Sequence, residues 1–164
     1  MLIKYTTENL KETQKLGKEL AEEILLQKLK NPPAGGATVL ALYGDLGGGK
    51  TTFLQGFAKG LKVKEKILSP TFVIMKNFKI PQTTNYSLQT INAFYHFDCY
   101  KINRAEEIQE LGFAEIIKNP KNIIAIEWPE KIKKYLPKEC LKIKFKFIDQ
   151  NKREIVFNKP KEML

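Results

Sequence analysis

Short apolar runs alternate along this chain with segments whose apolar residues recur every three or four positions. Runs at residues 1–5, 38–43, 93–98 and 122–127 predict strands, and the second and fourth are apolar enough to be buried on both faces of a parallel sheet. Helical spacing is clearest near the N-terminus, at Leu10, Thr13, Leu16, Leu20, Ile24 and Leu29. This alternation predicts an α/β fold with a mainly parallel central sheet.

Capping residues set the predicted ends of two helices. Thr6 or Thr7 is expected to cap the first helix, because a threonine oxygen accepts hydrogen bonds from the free amides of a first turn. Asn103 is expected to open a later helix in a capping box with Glu106. Gly112 is expected to close that helix, since glycine readily adopts the left-handed conformation found there.

The segments between these elements contain more proline, glycine and polar residues. Residues 31–36 are expected to end the first helix, and residues 52–61 to form a helix after a glycine-rich loop. Residues 67–78 predict a loop followed by a strand. Residues 81–89 are polar and predict a mobile loop.

The C-terminal region changes to a period of two. Apolar residues alternate with lysines over residues 141–147, which predicts a strand with one face in solvent. A turn at residues 149–152 and an apolar stretch at 154–157 complete an antiparallel hairpin added to the parallel core. No long linker interrupts the sequence, so residues 1–164 are predicted to form a single domain.

The composition of the chain says more about its cellular setting than about its function. The 164 residues include two cysteines, too few for a disulfide scaffold, which favours a reduced cytoplasmic setting. The sequence has neither the pattern of a signal peptide nor an apolar run of the ~20 residues that a membrane helix needs. The net charge of +10 comes almost wholly from lysine. It is compatible with a lysine-rich soluble surface and with a basic patch that faces RNA.

The clearest chemical signal follows the run at residues 38–43. Residues 44–51 read Gly-Asp-Leu-Gly-Gly-Gly-Lys-Thr and match the phosphate-binding pattern G-x-x-x-x-G-K-[ST] at every specified position. Glycines let the backbone amides point at phosphate oxygens, Lys50 adds a positive charge, and Thr51 offers a hydroxyl to magnesium. The sequence therefore predicts a P-loop NTPase fold, a three-layer α/β sandwich, with the antiparallel hairpin at its C-terminal end.

The nucleotide is assigned by exclusion. Guanine-specific P-loop proteins usually carry Asn-Lys-x-Asp, and the nearest string here, residues 151–154, lacks the aspartate and lies at the predicted hairpin turn. ATP with Mg²⁺ is therefore the expected ligand.

Two predicted strands end in an acid. Asp98 and Glu127 are candidates for a metal ligand and for the group that orients an attacking water, and the less favoured alternative for each is a solvated strand end. Glu127 follows the more fully buried run, so its carboxylate is expected at the edge where open α/β sheets bind ligands. His96 lies on the same face as Asp98 and is either a packed or a functional histidine. Trp128 either packs the strand end or forms a platform for a partner.

Four strings in this order resemble one known family. Residues 43–53, 69–72, 96–101 and 126–130 read YGDLGGGKTTF, SPTF, HFDCYK and IEWPE. Together they resemble TsaE, the P-loop ATPase of bacterial tRNA threonylcarbamoyladenosine biosynthesis. The resemblance implies a small protein with weak ATPase activity that acts on a complex of two other proteins, TsaB and TsaD. It also implies that contact with tRNA is indirect.

The resemblance also assigns roles to individual residues. It implies that Thr51 and Glu127 hold magnesium. It also implies that Asp98 is the catalytic acid and that Lys50 takes part in catalysis. Thr13 matches a threonine near the base, and Arg153 is expected to reach the same pocket from the hairpin. Phosphates are expected at Gly47, Gly48, Gly49, Lys50, Thr51 and Thr52.

Three further features of these strings bear on the roles. Residues 69–72 are expected to form a loop that senses the nucleotide. Gly48 replaces a common alanine, and the small size of both residues makes this change harmless. Lys101 stands where the family usually has arginine, and it keeps the charge but loses the planar fork for bidentate contacts.

Two other functions remain open from the residues. A small-molecule kinase on the same fold is disfavoured, because such enzymes usually close an arginine-rich lid and this chain has arginine only at positions 104 and 153. A binding module that holds ATP with negligible hydrolysis is harder to exclude, since the sequence shows no obvious arginine finger.

Overall fold

A computed structural model describes residues 1–30, 35–68, 73–81 and 91–159. Three predicted features therefore lie wholly or partly outside the described residues. They are the loop expected to sense the nucleotide, residues 69–72, most of the polar loop at 81–89, and the proline-containing stretch at 31–34.

The described residues contain seven strands, four α-helices and one segment of 3₁₀ turns. The strands are β1 (Leu2–Thr7), β2 (Thr38–Tyr43), β3 (Met75–Lys79), β4 (Ala93–Asp98), β5 (Asn122–Glu127), β6 (Leu141–Phe147) and β7 (Arg153–Asn158). The helices are α1 (Leu10–Lys30), α2 (Lys50–Gly60), α3 (Glu107–Glu110) and α4 (Phe113–Lys118), and the 3₁₀ segment is Pro129–Tyr135. Of the helices that the structure describes, none has the length and apolar character needed to cross a membrane.

All seven strands form one sheet in the order β1-β7-β6-β2-β5-β4-β3. The four central strands run parallel, because β2 pairs in parallel with both β5 and β6, and β4 pairs in parallel with β5. The pairs β6–β7, β1–β7 and β3–β4 are antiparallel. The predicted fold class is thus confirmed, including the antiparallel C-terminal hairpin. The antiparallel pairing of β1 and β3 at the two sheet edges was not predicted.

The core lies on both faces of the sheet, as expected for three layers. One apolar cluster joins α1 and α2 to residues of β2, β5, β6 and β7, and a second joins α3, α4 and the 3₁₀ segment to the other face of β2 and β5. All six residues of β5 are buried, which explains why its sequence is continuously apolar over residues 123–126.

The expected cap at Thr6 or Thr7 is wrong. Both threonines belong to β1, where Thr7 pairs with Arg153 of β7. The helix begins one turn later, and the side chain of Asn9 accepts a hydrogen bond from the amide of Glu12 at 3.0 Å. Strand pairing at the sheet edge therefore takes the threonines that would otherwise cap the helix.

The capping box predicted at Asn103 is also wrong in its acid, and the helix that follows is shorter than predicted. The amide of Asn103 donates to the carboxylate of Glu107, at 3.2 Å, and Glu106 instead pairs with Lys134 of the 3₁₀ segment. The result is a short helix, α3, rather than one continuous helix. Gly112, with φ of 73°, ends α3 as predicted, and α4 follows directly.

Glycines bring α1 and α2 into unusually close contact. A Cβ added at Gly56 of α2 would lie 1.8 Å from the carbonyl oxygen of Gln14, and one added at Gly17 of α1 would lie 2.2 Å from the carbonyl oxygen of Phe53. Only glycine permits two backbones to approach so closely. The contact fixes α2, and therefore the loop that precedes it, against α1.

Gly56→Ala is expected to lower the free energy of unfolding by about 1–3 kcal/mol, because the added methyl must push the two helices apart. Helix propensity alone predicts the opposite sign, since alanine is favoured over glycine by about 1 kcal/mol in a helix interior. Gly35→Ala is the matched control, because nothing lies within 4 Å of a Cβ added there. Urea denaturation measures both variants. A Gly56→Ala protein as stable as the wild type would show that the close contact is not required.

Candidate nucleotide-binding site

The glycine-rich loop connects the end of β2 to the start of α2. Gly44 and Gly49 have φ of 139° and 98°, values that side chains rarely tolerate. A Cβ at Gly44 would also lie 2.4 Å from the carbonyl oxygen of Phe145 in β6. The loop therefore lies close against β6 and delivers the chain into the N-terminus of α2, whose free amides attract anions.

Lys50 is buried at the mouth of this loop. Its Nζ donates to the carbonyl oxygens of Gly44 at 2.5 Å and Asp45 at 2.9 Å, and lies 4.3 Å from the centre of the Trp128 ring. Burial lowers the pKa of Lys50, and the nearby carboxylate of Glu127 opposes that shift. The loop thus holds a cationic side chain directly beside its own backbone.

The two predicted acids lie side by side at the carboxyl edge of the sheet, because Asp98 and Glu127 are register partners in the parallel strands β4 and β5. Thr51 at the start of α2 donates its hydroxyl to Glu127 Oε1 at 3.1 Å. Asp98 Oδ1 accepts a hydrogen bond from the amide of Tyr100 at 3.1 Å. The structure therefore brings Thr51, Glu127 and Asp98 together, as the sequence predicted.

The oxygens of Thr51 and Glu127 fit the chemistry of magnesium, a hard cation that binds carboxylates together with the phosphates of a nucleotide. Within the described ranges, no group of three or more His, Cys, Asp or Glu residues could hold a metal by itself.

His96 is fully buried beneath the two acids. Its Nε2 lies 3.0 Å from Glu127 Oε1, while Nδ1 has no hydrogen-bond partner among the residues that the structure describes. The histidine is therefore packed, and it also contacts one of the candidate functional acids.

The glycine-rich loop and the two acids border a cavity of about 390 Å³, within the range of small-molecule sites. Most of the predicted site residues line it, namely Gly47, Gly48, Gly49, Lys50, Thr51, Thr52, Asp98, Glu127 and Arg153. The glycine-rich loop, the two strand ends and the C-terminal hairpin thus all contribute residues to the wall of one cavity.

Arg153 reaches the cavity wall from β7, next to Gly49. Its Nη1 donates to the carbonyl oxygens of Asp149 at 2.7 Å and Lys152 at 2.9 Å, and its guanidinium lies 4.7 Å from the centre of the Phe147 ring. These contacts hold the guanidinium in place at the hairpin turn. Its predicted role near the base stays a prediction.

Thr13 is not among the described residues that line the cavity. Its side chain is buried, with its hydroxyl oxygen 2.8 Å from that of Thr7 and 3.3 Å from the carbonyl oxygen of Asn9. The contact with Thr7 ties α1 to β1. The role of Thr13 near the base remains a prediction from the resemblance.

Four lining residues, Leu46, Val73, Ile74 and Tyr100, were not predicted from the residue pattern. Lys101 and Trp128, both noted in the sequence, complete the wall. Trp128 has φ of 58°, unusual for so bulky a residue, and its ring centre lies 5.0 Å from that of Tyr100. Trp128 directly follows the end of β5 and Tyr100 lies two residues after the end of β4, and this position was the signal available in the sequence.

Comparisons with known proteins find one family whose members match most of this chain. The sequence model of one family, described as threonylcarbamoyl adenosine biosynthesis protein TsaE, matches residues 7–155. A relative from Bacillus subtilis, named tRNA threonylcarbamoyladenosine biosynthesis protein TsaE, is 37% identical over 73% of this chain and 68% of its own length. A relative of the same name from Rickettsia felis is 37% identical over 88% of this chain and 73% of its own length.

A solved structure has the same fold. The crystal structure of YdiB from Bacillus subtilis superimposes with a TM-score of 0.66 and 29% sequence identity, over 96% of this chain and 84% of that one. The family match covers both the phosphate-binding loop and the two acidic strand ends. The chain therefore belongs to the TsaE family, whose members take part in the biosynthesis of threonylcarbamoyladenosine in tRNA.

Proposed function

We propose that this protein binds ATP with magnesium in the cavity, hydrolyses it slowly, and thereby supports threonylcarbamoyladenosine modification of tRNA in the cytoplasm by acting on a TsaB–TsaD complex. One observation carries the proposal. A complete phosphate-binding loop shares a single cavity wall with a threonine–glutamate pair and a second acid at the end of the neighbouring strand.

The loop and Lys50 would hold the phosphates. Amides of residues 47–52 and the positive end of α2 supply neutral donors, and Lys50 supplies the charge. Its Nζ donates to two loop carbonyl oxygens. Phosphate oxygens are stronger acceptors than carbonyl oxygens, so binding of a triphosphate would draw the ammonium group towards the ligand.

Thr51 and Glu127 would hold the magnesium ion that accompanies ATP. Magnesium, when bound, neutralises charge on the outer phosphates. The hydrogen bond from the Thr51 hydroxyl to Glu127 keeps both oxygens at one place on the cavity wall. The pair is therefore organised for a shared cation without a change of fold.

Asp98 would orient the attacking water and accept its proton. Its position beside Glu127 in the sheet places a second carboxylate at the cavity, and the amide of Tyr100 fixes one of its oxygens. Asp98 and Glu127 would thus have separate roles, one towards water and one towards the metal.

The positions of the chain's two arginines support slow hydrolysis. Arg153 is held at the hairpin turn by backbone carbonyl oxygens, and Arg104 is exposed beside α3. An arginine at the transferring phosphate is worth about 10³–10⁵ in rate. The same observation favours the second candidate function, an ATP-dependent binding module that hydrolyses negligibly.

Exposed apolar residues at the cavity support docking of a partner. Leu46, Val73 and Tyr100 all line the cavity, yet 67%, 51% and 46% of their surfaces remain exposed. A patch of large apolar side chains at a binding site is typical of an interaction surface. A partner docked there would cover the nucleotide and could supply an arginine at the transferring phosphate.

Lys50→Ala is expected to weaken ATP binding at least tenfold, about 1.4 kcal/mol, because the charge facing the outer phosphates is lost. The fold should survive, since the loop's shape depends on its glycines. Lys59→Ala is the matched control, an exposed lysine in the last turn of the same helix. Calorimetry measures both affinities. Equal ATP binding by Lys50→Ala and Lys59→Ala would contradict the site.

Glu127→Gln and Asp98→Asn are expected to separate metal binding from turnover. Loss of the Glu127 charge should remove most of the gain in nucleotide affinity that Mg²⁺ gives, whereas Asp98→Asn should preserve binding and slow hydrolysis about 10²–10⁴-fold. Calorimetry with and without Mg²⁺, and phosphate release in the presence of TsaB and TsaD, measure the two effects. Identical profiles for the two variants would mean that the roles are not divided.

Binding to a TsaB–TsaD pair is expected to be tighter with a non-hydrolysable ATP analogue than with ADP. Leu46→Ser should weaken this binding, because Leu46 is an exposed apolar residue of the cavity. Leu26→Ser, at a comparably exposed leucine of α1, is the control. Surface plasmon resonance on the immobilised pair measures the affinity of the wild type with ATP analogue, with ADP and without nucleotide, and that of each variant with ATP analogue. Equal binding with ATP analogue, ADP and no nucleotide would reject nucleotide-controlled docking.

A further inference from the structure

Among the residues that the structure describes, two side chains of very different kinds form hydrogen bonds with the carboxylate of Glu127. The Thr51 hydroxyl approaches it from α2 at 3.1 Å, and Nε2 of His96 approaches it from β4 at 3.0 Å. Thr51 is half-buried at the cavity, whereas the His96 ring is completely buried. The histidine therefore contacts the acid from inside the protein, on the side away from a ligand.

The sheet explains how the ring reaches the acid. His96 lies directly beside Ala125 in the parallel register of β4 and β5, and Glu127 follows Ala125 by two residues on the same face. The methyl group of Ala125 is small, so the imidazole can lie over β5 and reach diagonally towards Glu127. A larger residue at position 125 would occupy this space.

The chemistry of the two groups fixes the direction of the hydrogen bond. As a magnesium ligand Glu127 would be ionised, and an ionised carboxylate only accepts, so Nε2 would carry the proton and donate it. Glu127 is 3% exposed, and a buried carboxylate is costly unless donors satisfy it. Since Nδ1 has no partner among the described residues, the bond to Glu127 is also the polar contact that orients the ring.

We propose that His96 is a positioning residue that holds the Glu127 carboxylate in the orientation needed for magnesium. This inference rests on the proposed function. The Thr51 hydroxyl contacts Glu127 Oε1 from α2, and His96 adds a second donor to the same oxygen from β4. His96 donates from the buried side and leaves the cavity side of the carboxylate available. Partners that orient a metal ligand are typically worth 10–100-fold in metal affinity.

Three substitutions separate the hydrogen bond from packing. His96→Leu replaces the imidazole with an apolar side chain of similar size and removes the hydrogen-bond donor. His96→Gln can place an amide N–H close to the position of Nε2, and His96→Asn carries the same amide on a shorter chain that falls short of Glu127. The measured quantity is the gain in affinity for a non-hydrolysable ATP analogue on changing from EDTA to Mg²⁺, determined by calorimetry.

His96→Leu and His96→Asn are expected to lose at least tenfold of this magnesium gain, and His96→Gln to keep it within threefold of the wild type. Affinity in EDTA should change less than twofold in every variant, since the phosphate-binding loop is untouched. A purely structural role would instead lower both affinities together, along with the unfolding temperature. If His96→Leu does not fold, the comparison of His96→Gln with His96→Asn carries the test.

Two results would overturn the inference. One is a wild-type magnesium gain in His96→Leu or His96→Asn while Glu127→Gln loses it, which would leave the proposed function intact. The other is an equal loss in His96→Gln and His96→Asn at unchanged unfolding temperature. Failure of the proposed function gives a different result, because the wild type would then bind no ATP analogue in either buffer.

Discussion

The parallel alignment of β2, β5 and β4 is the constraint on which the site depends. Strands that run in the same direction end at the same edge of a sheet, and here those ends carry the glycine-rich loop, Glu127 and Asp98. The parallel pairing of the strands is enough to bring these three groups together. The hydrogen bond from Thr51 to Glu127 then joins the start of α2 to the end of β5.

The position of α2 depends in turn on its contact with α1. Gly17 and Gly56 let the two helix backbones approach more closely than any side chain would allow. The N-terminus of α2 is therefore held from two directions, by α1 along its length and by β6 against Gly44. Such support from rigid elements suits a site whose donors must be in place before the ligand arrives.

The sequence predicted the elements and residues whose signals are local. The apolar runs, the glycine-rich loop and the acids at strand ends are each readable within about ten residues, and the structure places them as expected. Contacts between distant segments were not readable. Thr7 pairs with Arg153 across the sheet instead of capping a helix, and the link from His96 to Glu127 needs the register of β4 against β5.

A crystal structure with a non-hydrolysable ATP analogue and Mn²⁺, which scatters anomalously in place of Mg²⁺, tests the central claim most directly. The account predicts the outer phosphates within hydrogen-bond distance of the amides of residues 47–51 and of Lys50. It also predicts one anomalous peak at the oxygens of Thr51 and Glu127. Phosphates bound elsewhere, or a metal that contacts neither residue, would contradict it.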